Sequence, residues 1–91
     1  MKNKITVTTS LPANIVQSVL DEIERAKVKH PNWPSDILYR GAIVAEEAGE
    51  LLRACNQATM EEGKVNEAYT EAVQTAATAM RFLEEFKTAT I

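Results

Sequence analysis

The chain has 91 residues, a formal net charge of −3 at pH 7, and 45% hydrophobic and 25% charged residues. This length suits one small domain that buries roughly 60–65% of its unfolded surface, and the composition argues against disorder. The single cysteine and single histidine exclude a disulfide framework and a zinc site of clustered Cys and His ligands, and the acidic balance argues against a nucleic-acid partner.

The N-terminal residues indicate no targeting segment. Residues 5–12 are rich in Thr and Ser and lack the apolar run of a signal peptide. No stretch approaches the roughly 20 apolar residues of a membrane span. We therefore expect a soluble, cytoplasmic protein with no membrane partner. Residues 1–91 are interpreted as one domain, in which residues 1–10 form an extended N-terminal arm.

Prolines and glycines divide the chain into three segments with helical periodicity. The first helix is predicted from about Pro12 to Lys29. The second is predicted over 36–60, with Ser35 or Asp36 as its N-cap. The third is predicted over 64–87. Short connections between three helices predict an all-α, antiparallel helical bundle.

Each predicted helix carries an apolar stripe that we expect to face the core. On the first helix the stripe consists of Val16, Val19, Leu20, Ile23 and Ala26. On the second it consists of Val44, Ala48, Leu51, Leu52 and Cys55. On the third it consists of Tyr69, Ala72, Val73, Ala76, Met80 and Leu83. Further apolar residues outside these stripes indicate additional neighbours, so we expect a homo-oligomer, a dimer or tetramer, to complete the bundle.

Three carboxylates lie close together on the second predicted helix. At about 100° per residue, Glu46, Glu47 and Glu50 share an arc of about 100°. If the second and third helices form a hairpin, Glu50 lies level with residues 71–74. Carboxylates from two helices would then meet at one height, where a divalent cation offsets their repulsion. Oxygen ligands of this kind favour Mg²⁺ or Mn²⁺.

A plainer interpretation of the same residues is a solvated face. The apolar stripe of the second helix lies roughly opposite Glu50, and an acidic arc opposite the core usually faces water. Ile43 and Ala54 flank the acidic arc, which is unusual for a solvated face. Gly49, in mid-helix, also suits the close approach of another element.

These residues resemble the motif of the MazG-like all-α nucleoside triphosphate pyrophosphohydrolases. That motif is Glu-Glu-x-x-Glu on one helix and Glu-x-x-Asp on the next. Here it reads Glu46-Glu47-Ala48-Gly49-Glu50 and, after twenty residues, Glu71-Ala72-Val73-Gln74. The resemblance covers roughly residues 30–86.

The resemblance implies a function and a set of site residues. It implies Mg²⁺-dependent (or Mn²⁺-dependent) cleavage of a nucleoside triphosphate to the monophosphate and pyrophosphate, in a bundle of two or more chains. Glu47, Glu50 and Glu71 would be metal ligands. Glu46 would hold a second ion or help to orient the attacking water. Gln74 stands where the family has Asp, so it would ligate only through a neutral oxygen.

Other residues are candidates for substrate contacts. Trp33 is either a base-stacking lid or a loop anchor packed on a helix end. Arg81 is the favoured phosphate contact among the basic candidates, which are Lys27, Lys29, Arg40, Arg53, Lys64 and Arg81. His30 is interpreted as a surface or helix-end residue, and Cys55 as a core residue.

Two functions therefore stay open. The first is the metal-dependent pyrophosphohydrolase. The second is a MazG-like helical module that has lost catalysis through Gln74 and serves oligomerisation or partner binding. A di-iron carboxylate bundle is set aside, because it needs Glu-x-x-His on its helices and the one histidine lies outside them.

Overall fold

The computed structural model describes residues 8–61 and 65–91. The described residues form three helices, α1 (Ala13–Lys29), α2 (Ile37–Met60) and α3 (Val65–Glu84), followed by a short 3-10 helix at Phe86–Thr88. The predicted all-α class is confirmed. Most of the predicted N-terminal arm, and the break between helices predicted at Gly63, lie outside the described residues.

The start of α2 and the end of α3 have local causes. The Asp36 carboxylate accepts hydrogen bonds from the backbone N–H groups of Leu38 and Tyr39, at 3.4 and 3.3 Å, so the predicted N-cap is confirmed. Helix α3 ends at Glu84, earlier than the predicted residue 87. Beyond Glu84 the chain continues as a 3-10 turn, in which the Glu85 carbonyl accepts a hydrogen bond from the Thr88 hydroxyl at 2.8 Å.

Helix α3 lies at the centre of the fold. It packs along α2, and it also packs against α1. Within residues 8–61 and 65–91, α1 does not pack against α2. The gap that separates α1 from α2 opens over α3.

The two helix pairs differ in direction. The start of α2 and the end of α3 lie together, so this pair is antiparallel as predicted. Helices α1 and α3 run parallel, because the Tyr69 hydroxyl donates to Ser18 Oγ at 3.3 Å near their first halves, and Lys27 pairs with Glu84 at 2.7 Å near their ends. In an up-down-up order the first and third helices share a direction, and here they are neighbours.

A buried arginine fastens the C-terminal segment to the rest of the fold. Arg40 on α2 is only 4% exposed. Its guanidinium donates to the Pro34 carbonyl at 2.5 Å, the Glu85 carbonyl at 2.7 Å and Thr88 Oγ1 at 3.1 Å. Backbone hydrogen bonds between Thr90 and the residues around Asp36 add to this closure. The guanidinium therefore joins the connection between α1 and α2 to the end of the chain.

The predicted core face of α2 is only partly correct, because Val44 and Leu51 are half-buried whereas the other three members of the stripe are not. Ala48, Leu52 and Cys55 are exposed, and Leu52 is 64% exposed. Ala54, which lay outside the predicted stripe, is buried. Both faces of α2 carry apolar residues, and α3 packs on the face that also carries carboxylates.

The stripe predicted for the core on α3 is also largely exposed. Val73 is half-buried, whereas Leu83 is 67% exposed. The other exposed members are Tyr69, Ala72, Ala76 and Met80. Among the residues that the structure describes, the buried apolar ones are Ala54 and Ala77. The core of one chain is therefore small, and two helices leave apolar stripes uncovered.

The structure also bears on membrane insertion. Among the described residues, none of the helices combines the length and the hydropathy that a membrane-spanning segment requires.

Candidate functional site

Three glutamates from two helices converge in the interface between α2 and α3. Glu47 and Glu50 come from α2, and Glu71 comes from α3. Each offers one carboxylate oxygen, and these oxygens all lie within 4.8 Å of one another. The predicted meeting of Glu50 with the residues around Glu71 is therefore confirmed. We call these three side chains the glutamate cluster.

The cluster forms because α2 turns its acidic face toward α3. Glu47, Glu50 and Ala54 follow one another at helical spacings of three and four, and all three are half-buried or buried. The interpretation of this arc as a solvated face is wrong for Glu47 and Glu50. It holds for Glu46, which is exposed and stands outside the cluster.

The electrostatics of the cluster are unfavourable without a cation. Glu47 Oε2 and Glu71 Oε2 are buried and accept no hydrogen bond from the described part of the chain. The pKa of Glu47 is raised, first by burial and then by the charges of Glu50, Glu71, Glu46 and Glu22. A carboxylate oxygen that is withdrawn from water without a partner destabilises the fold.

The donor set fits a hard divalent cation. It consists of carboxylate oxygens, which suit Mg²⁺ or Mn²⁺ better than zinc. A cation between the three glutamates would neutralise their repulsion and provide partners for the two buried oxygens. The residues present therefore fit the metal that the sequence predicts.

A pocket of about 410 Å³ adjoins the cluster. It occupies the gap between α1 and α2, with α3 along one wall and the connection between α1 and α2 at one end. Glu47 belongs both to the cluster and to the pocket wall. A ligand in the pocket would thus lie beside the glutamate cluster. The volume of the pocket is within the range of about 300–1,000 Å³ that is typical of small-molecule sites.

Trp33 is anchored and also lines the pocket. The guanidinium carbon of Arg81 lies 4.9 Å from the centre of the indole ring, and that of Arg40 lies 5.8 Å away. Such cation–π contacts hold the ring in place. The two interpretations of Trp33, as loop anchor and as part of a ligand site, are therefore compatible.

Arg81 is more strongly engaged than its predicted role suggests. It is 4% exposed, and its Nε donates to Glu85 Oε2 at 2.8 Å. Its Nη1 donates to the Ala26 carbonyl at 3.5 Å, and the residue also lines the pocket. Arg81 thus positions Trp33, and its contact with a substrate phosphate stays a prediction.

The other predicted residues have different surroundings. Gln74 lies one turn after Glu71 on α3 and lines the pocket, so its ligation of a metal stays a prediction. His30 is exposed and follows the last residue of α1, as expected. Lys27 is paired with Glu84.

Sequence reasoning missed the contribution of α1 to the pocket. Glu22 and Arg25 both line it, and Arg25 Nε donates to Glu22 Oε1 at 2.8 Å. Hydrogen bonding to Glu22 raises the pKa of Arg25, so the guanidinium stays charged. The signal was the spacing of Glu22, Arg25 and Lys29, which puts three charged groups on one side of α1.

Comparisons with known proteins add no relative to this picture. No protein-family model, no curated protein and no solved structure matches the chain. The functional interpretation therefore depends on the geometry of the glutamate cluster and of the pocket beside it.

Proposed function

We propose that the chain is a divalent-metal-dependent nucleoside triphosphate pyrophosphohydrolase of the MazG-like type. It would cleave a (d)NTP to the (d)NMP and pyrophosphate. The observation that carries the proposal is the glutamate cluster, in which Glu47, Glu50 and Glu71 bring carboxylate oxygens within 4.8 Å. Two carboxylate oxygens of these residues, Glu47 Oε2 and Glu71 Oε2, are buried without a partner in the described residues, as expected of groups that hold a cation.

The roles of the acidic residues follow from their positions. Glu47, Glu50 and Glu71 hold Mg²⁺ or Mn²⁺. A divalent ion bound there neutralises phosphate charge and lowers the pKa of a bound water. Glu46 is next to the cluster and exposed to solvent, which suits a second ion or the orientation of the attacking water.

The pocket supplies the groups that hold the rest of a nucleotide. Trp33 and Ile43 give it an apolar surface, and Arg25, Lys29 and Arg81 give it positive charge. A nucleotide has a flat apolar base and an anionic phosphate chain, so both kinds of surface are needed. An acidic protein can therefore bind an acidic substrate through local cations.

The test is pyrophosphate release by purified protein. We expect release from at least one member of a panel of canonical and damaged NTPs and dNTPs, in the presence of Mg²⁺ or Mn²⁺. Chelation by EDTA should abolish release. Release from no member of the panel, or release that persists in EDTA, would contradict the proposal.

Matched variants separate the cluster from general effects of charge. Glu50→Gln removes one ligand charge with almost no change of shape, and we expect at least a hundredfold loss of turnover. Glu24→Gln is the control, because Glu24 lies exposed on α1 outside the cluster. Its turnover should stay within about twofold of that of the unmodified protein.

We also propose that the chain works as a homo-oligomer, a dimer or tetramer. Leu52 and Leu83 represent two exposed apolar stripes, on α2 and α3. A single chain of this size with so small a buried core has little stability of its own. A second copy carries the same unpartnered stripes and can cover them in a symmetric interface.

A second candidate is a helical oligomerisation or partner-binding module without catalysis. The observation that favours it is Gln74, which is neutral where the MazG-like motif has Asp. The residues beside the cluster therefore carry one negative charge fewer than that motif implies. The module would keep its oligomeric state and show no metal-dependent turnover. It is excluded if Glu47→Ala abolishes both metal binding and turnover.

A further inference from the structure

The pocket beside the glutamate cluster is lined by both charged and neutral side chains. Glu47 belongs to the cluster and to the lining. The neutral groups of the lining are the indole of Trp33, the side chain of Ile43, the amide of Gln74 and the hydroxyl of Thr78. These groups can contact an uncharged, flat portion of a ligand whose charged portion lies toward Glu47.

Gln74 is the neutral residue of this lining that lies nearest in sequence to a glutamate of the cluster. On α3 it follows Glu71 by one turn and precedes Thr78 by one turn. Its side chain is half-buried, and the described chain provides no hydrogen bond to its amide. The neighbouring Thr78 hydroxyl donates to the backbone carbonyl of Gln74 at 2.7 Å, and therefore does not occupy the side-chain amide.

A free amide on the wall of a partly enclosed cavity favours a ligand that can hydrogen-bond to it. The amide has a donor and an acceptor side by side. Nucleobases present the same alternation of donors and acceptors along one edge, and amide side chains pair with such edges in two-point contacts. An Asp at position 74 would offer acceptors alone.

We propose that Gln74 reads the hydrogen-bonding edge of a nucleobase and thereby sets the base preference of the site. The nucleotide class of the ligand rests on the proposed function, and the inference adds the residue that discriminates among bases. Trp33 lines the same pocket and offers a flat indole, over which the Arg81 guanidinium lies at 4.9 Å from the ring centre. Glu47, Glu50 and Glu71 bring their oxygens together without Gln74, so we assign its amide to the base.

The test uses Trp33 as a reporter, since it is the one tryptophan of the chain. Its fluorescence is followed while the four common nucleoside 5′-monophosphates are added separately, to millimolar concentration, without divalent metal. The same titrations are made with Gln74→Met, which keeps the length of the side chain and removes the amide. Gln57→Met is the control, because Gln57 is exposed on α2 and does not line the pocket.

We expect the unmodified protein and Gln57→Met to bind one base more tightly than the others. Gln74→Met should bind that preferred nucleotide about tenfold more weakly, as expected for a lost hydrogen bond that leaves a ligand group unpaired. In Gln74→Met, the differences in Kd among the four nucleotides should be smaller than in the unmodified protein. Mn²⁺ alone, titrated calorimetrically, should bind the Gln74→Met protein within about twofold of its usual Kd.

Three results would overturn the inference. The first is an unchanged base preference in Gln74→Met, with circular dichroism showing that the variant is folded. The second is a loss of Mn²⁺ affinity in Gln74→Met as large as that in Glu50→Gln, which would make Gln74 a metal ligand. The third is the absence of any Trp33 response to all four nucleotides.

The inference and the proposed function can fail separately. If no substrate is cleaved but nucleotides bind in a Gln74-dependent manner, the hydrolase proposal fails and the base-reading role stands. If cleavage occurs and the ratios of kcat/KM among bases are the same in Gln74→Met, the hydrolase stands and the base-reading role fails.

Discussion

The carboxylates of Glu50 on α2 and Glu71 on α3 meet across an antiparallel pair of helices, with an oxygen of each within 4.8 Å of the other. These residues are far apart in sequence, and the packing of α3 along α2 brings them together. Like charges at this distance repel, by about 1 kcal/mol even at the dielectric constant of water. The repulsion therefore destabilises the fold locally, and a divalent cation bound there would remove it.

The first prediction concerns stability without metal. Glu71→Gln removes one of the repelling charges and keeps the shape of the side chain. We expect it to raise the free energy of unfolding in EDTA by about 1 kcal/mol. Urea unfolding followed by circular dichroism measures the change. A destabilised variant would show that the charge of Glu71 is favourable in the metal-free fold.

The second prediction concerns the effect of metal on stability. Mn²⁺ at 100 times its Kd should raise the free energy of unfolding of the unmodified protein by about 2.7 kcal/mol. Glu71→Gln should lose most of this increase, whereas the exposed-site variant Glu24→Gln should keep it. Equal increases in all three proteins would place the cation elsewhere.

The third prediction concerns pH. The pKa of Glu47 is raised, chiefly by burial, so the folded chain binds more protons than the unfolded chain between the two pKa values. Stability in EDTA should therefore fall as the pH rises upward from about 4.3, the usual glutamate pKa.

The contribution of Glu47 is isolated by comparison with Glu47→Gln. Thermal unfolding in EDTA, measured from about pH 4.5 to pH 7, should show a shallower decline in this variant. The affinity for Mn²⁺ should rise with pH in the unmodified protein, because the metal binds the ionised carboxylate. A parallel pH dependence of stability in the two proteins would contradict the assignment to Glu47.

Much of the fold could be predicted from periodicity and capping. The N-cap at Asp36 and the ends of α1 and α2 lie within about one residue of their predicted places. The meeting of Glu50 with Glu71 followed from counting turns along a hairpin. These features depend on local spacing, which the sequence displays directly.

The inward face of α2 could not be predicted in the same way. Periodicity assigns the more apolar face to the core, and Leu52 and Cys55 lie on that face. In the structure Glu47 and Glu50 lie inward, because the carboxylates of α2 and α3 converge. A metal site of the kind proposed would reverse the usual rule, since a bound cation makes the burial of charge favourable.

The role of Arg40 was equally hidden. Its guanidinium joins Pro34, Glu85 and Thr88, and two of these partners are far from it in sequence. No local pattern indicates which arginine will be buried with hydrogen bonds to the distant Glu85 carbonyl and Thr88 hydroxyl. The contributions of Glu22 and Arg25 to the pocket depend likewise on α1 packing against α3.

The fourth prediction concerns Arg40. Arg40→Met keeps much of the side-chain volume and leaves the carbonyls of Pro34 and Glu85 without their donor. We expect the free energy of unfolding to fall by about 2–4 kcal/mol. Arg53→Met, on the exposed side of the same helix, should change it by less than about 0.5 kcal/mol. Equal small effects in urea unfolding would contradict the role of Arg40.

The fifth prediction concerns self-association. Leu52→Asp introduces a charge into the exposed stripe of α2, and sedimentation should show a shift toward the monomer. Gln57→Glu adds the same charge at another exposed site of this helix and should leave the mass unchanged. Cys55 lies in the stripe, so its thiol should react faster with a thiol reagent in Leu52→Asp. A monomeric unmodified protein would contradict the oligomer.

The most direct test of the glutamate cluster is a calorimetric titration of Mn²⁺ into the unmodified protein, Glu50→Gln and Glu24→Gln. We predict saturable binding to the unmodified protein and to Glu24→Gln, and at least a tenfold weaker affinity for Glu50→Gln. Binding that is equally strong in all three proteins, or absent from all at millimolar Mn²⁺, would contradict the assignment of Glu47, Glu50 and Glu71 as a metal site.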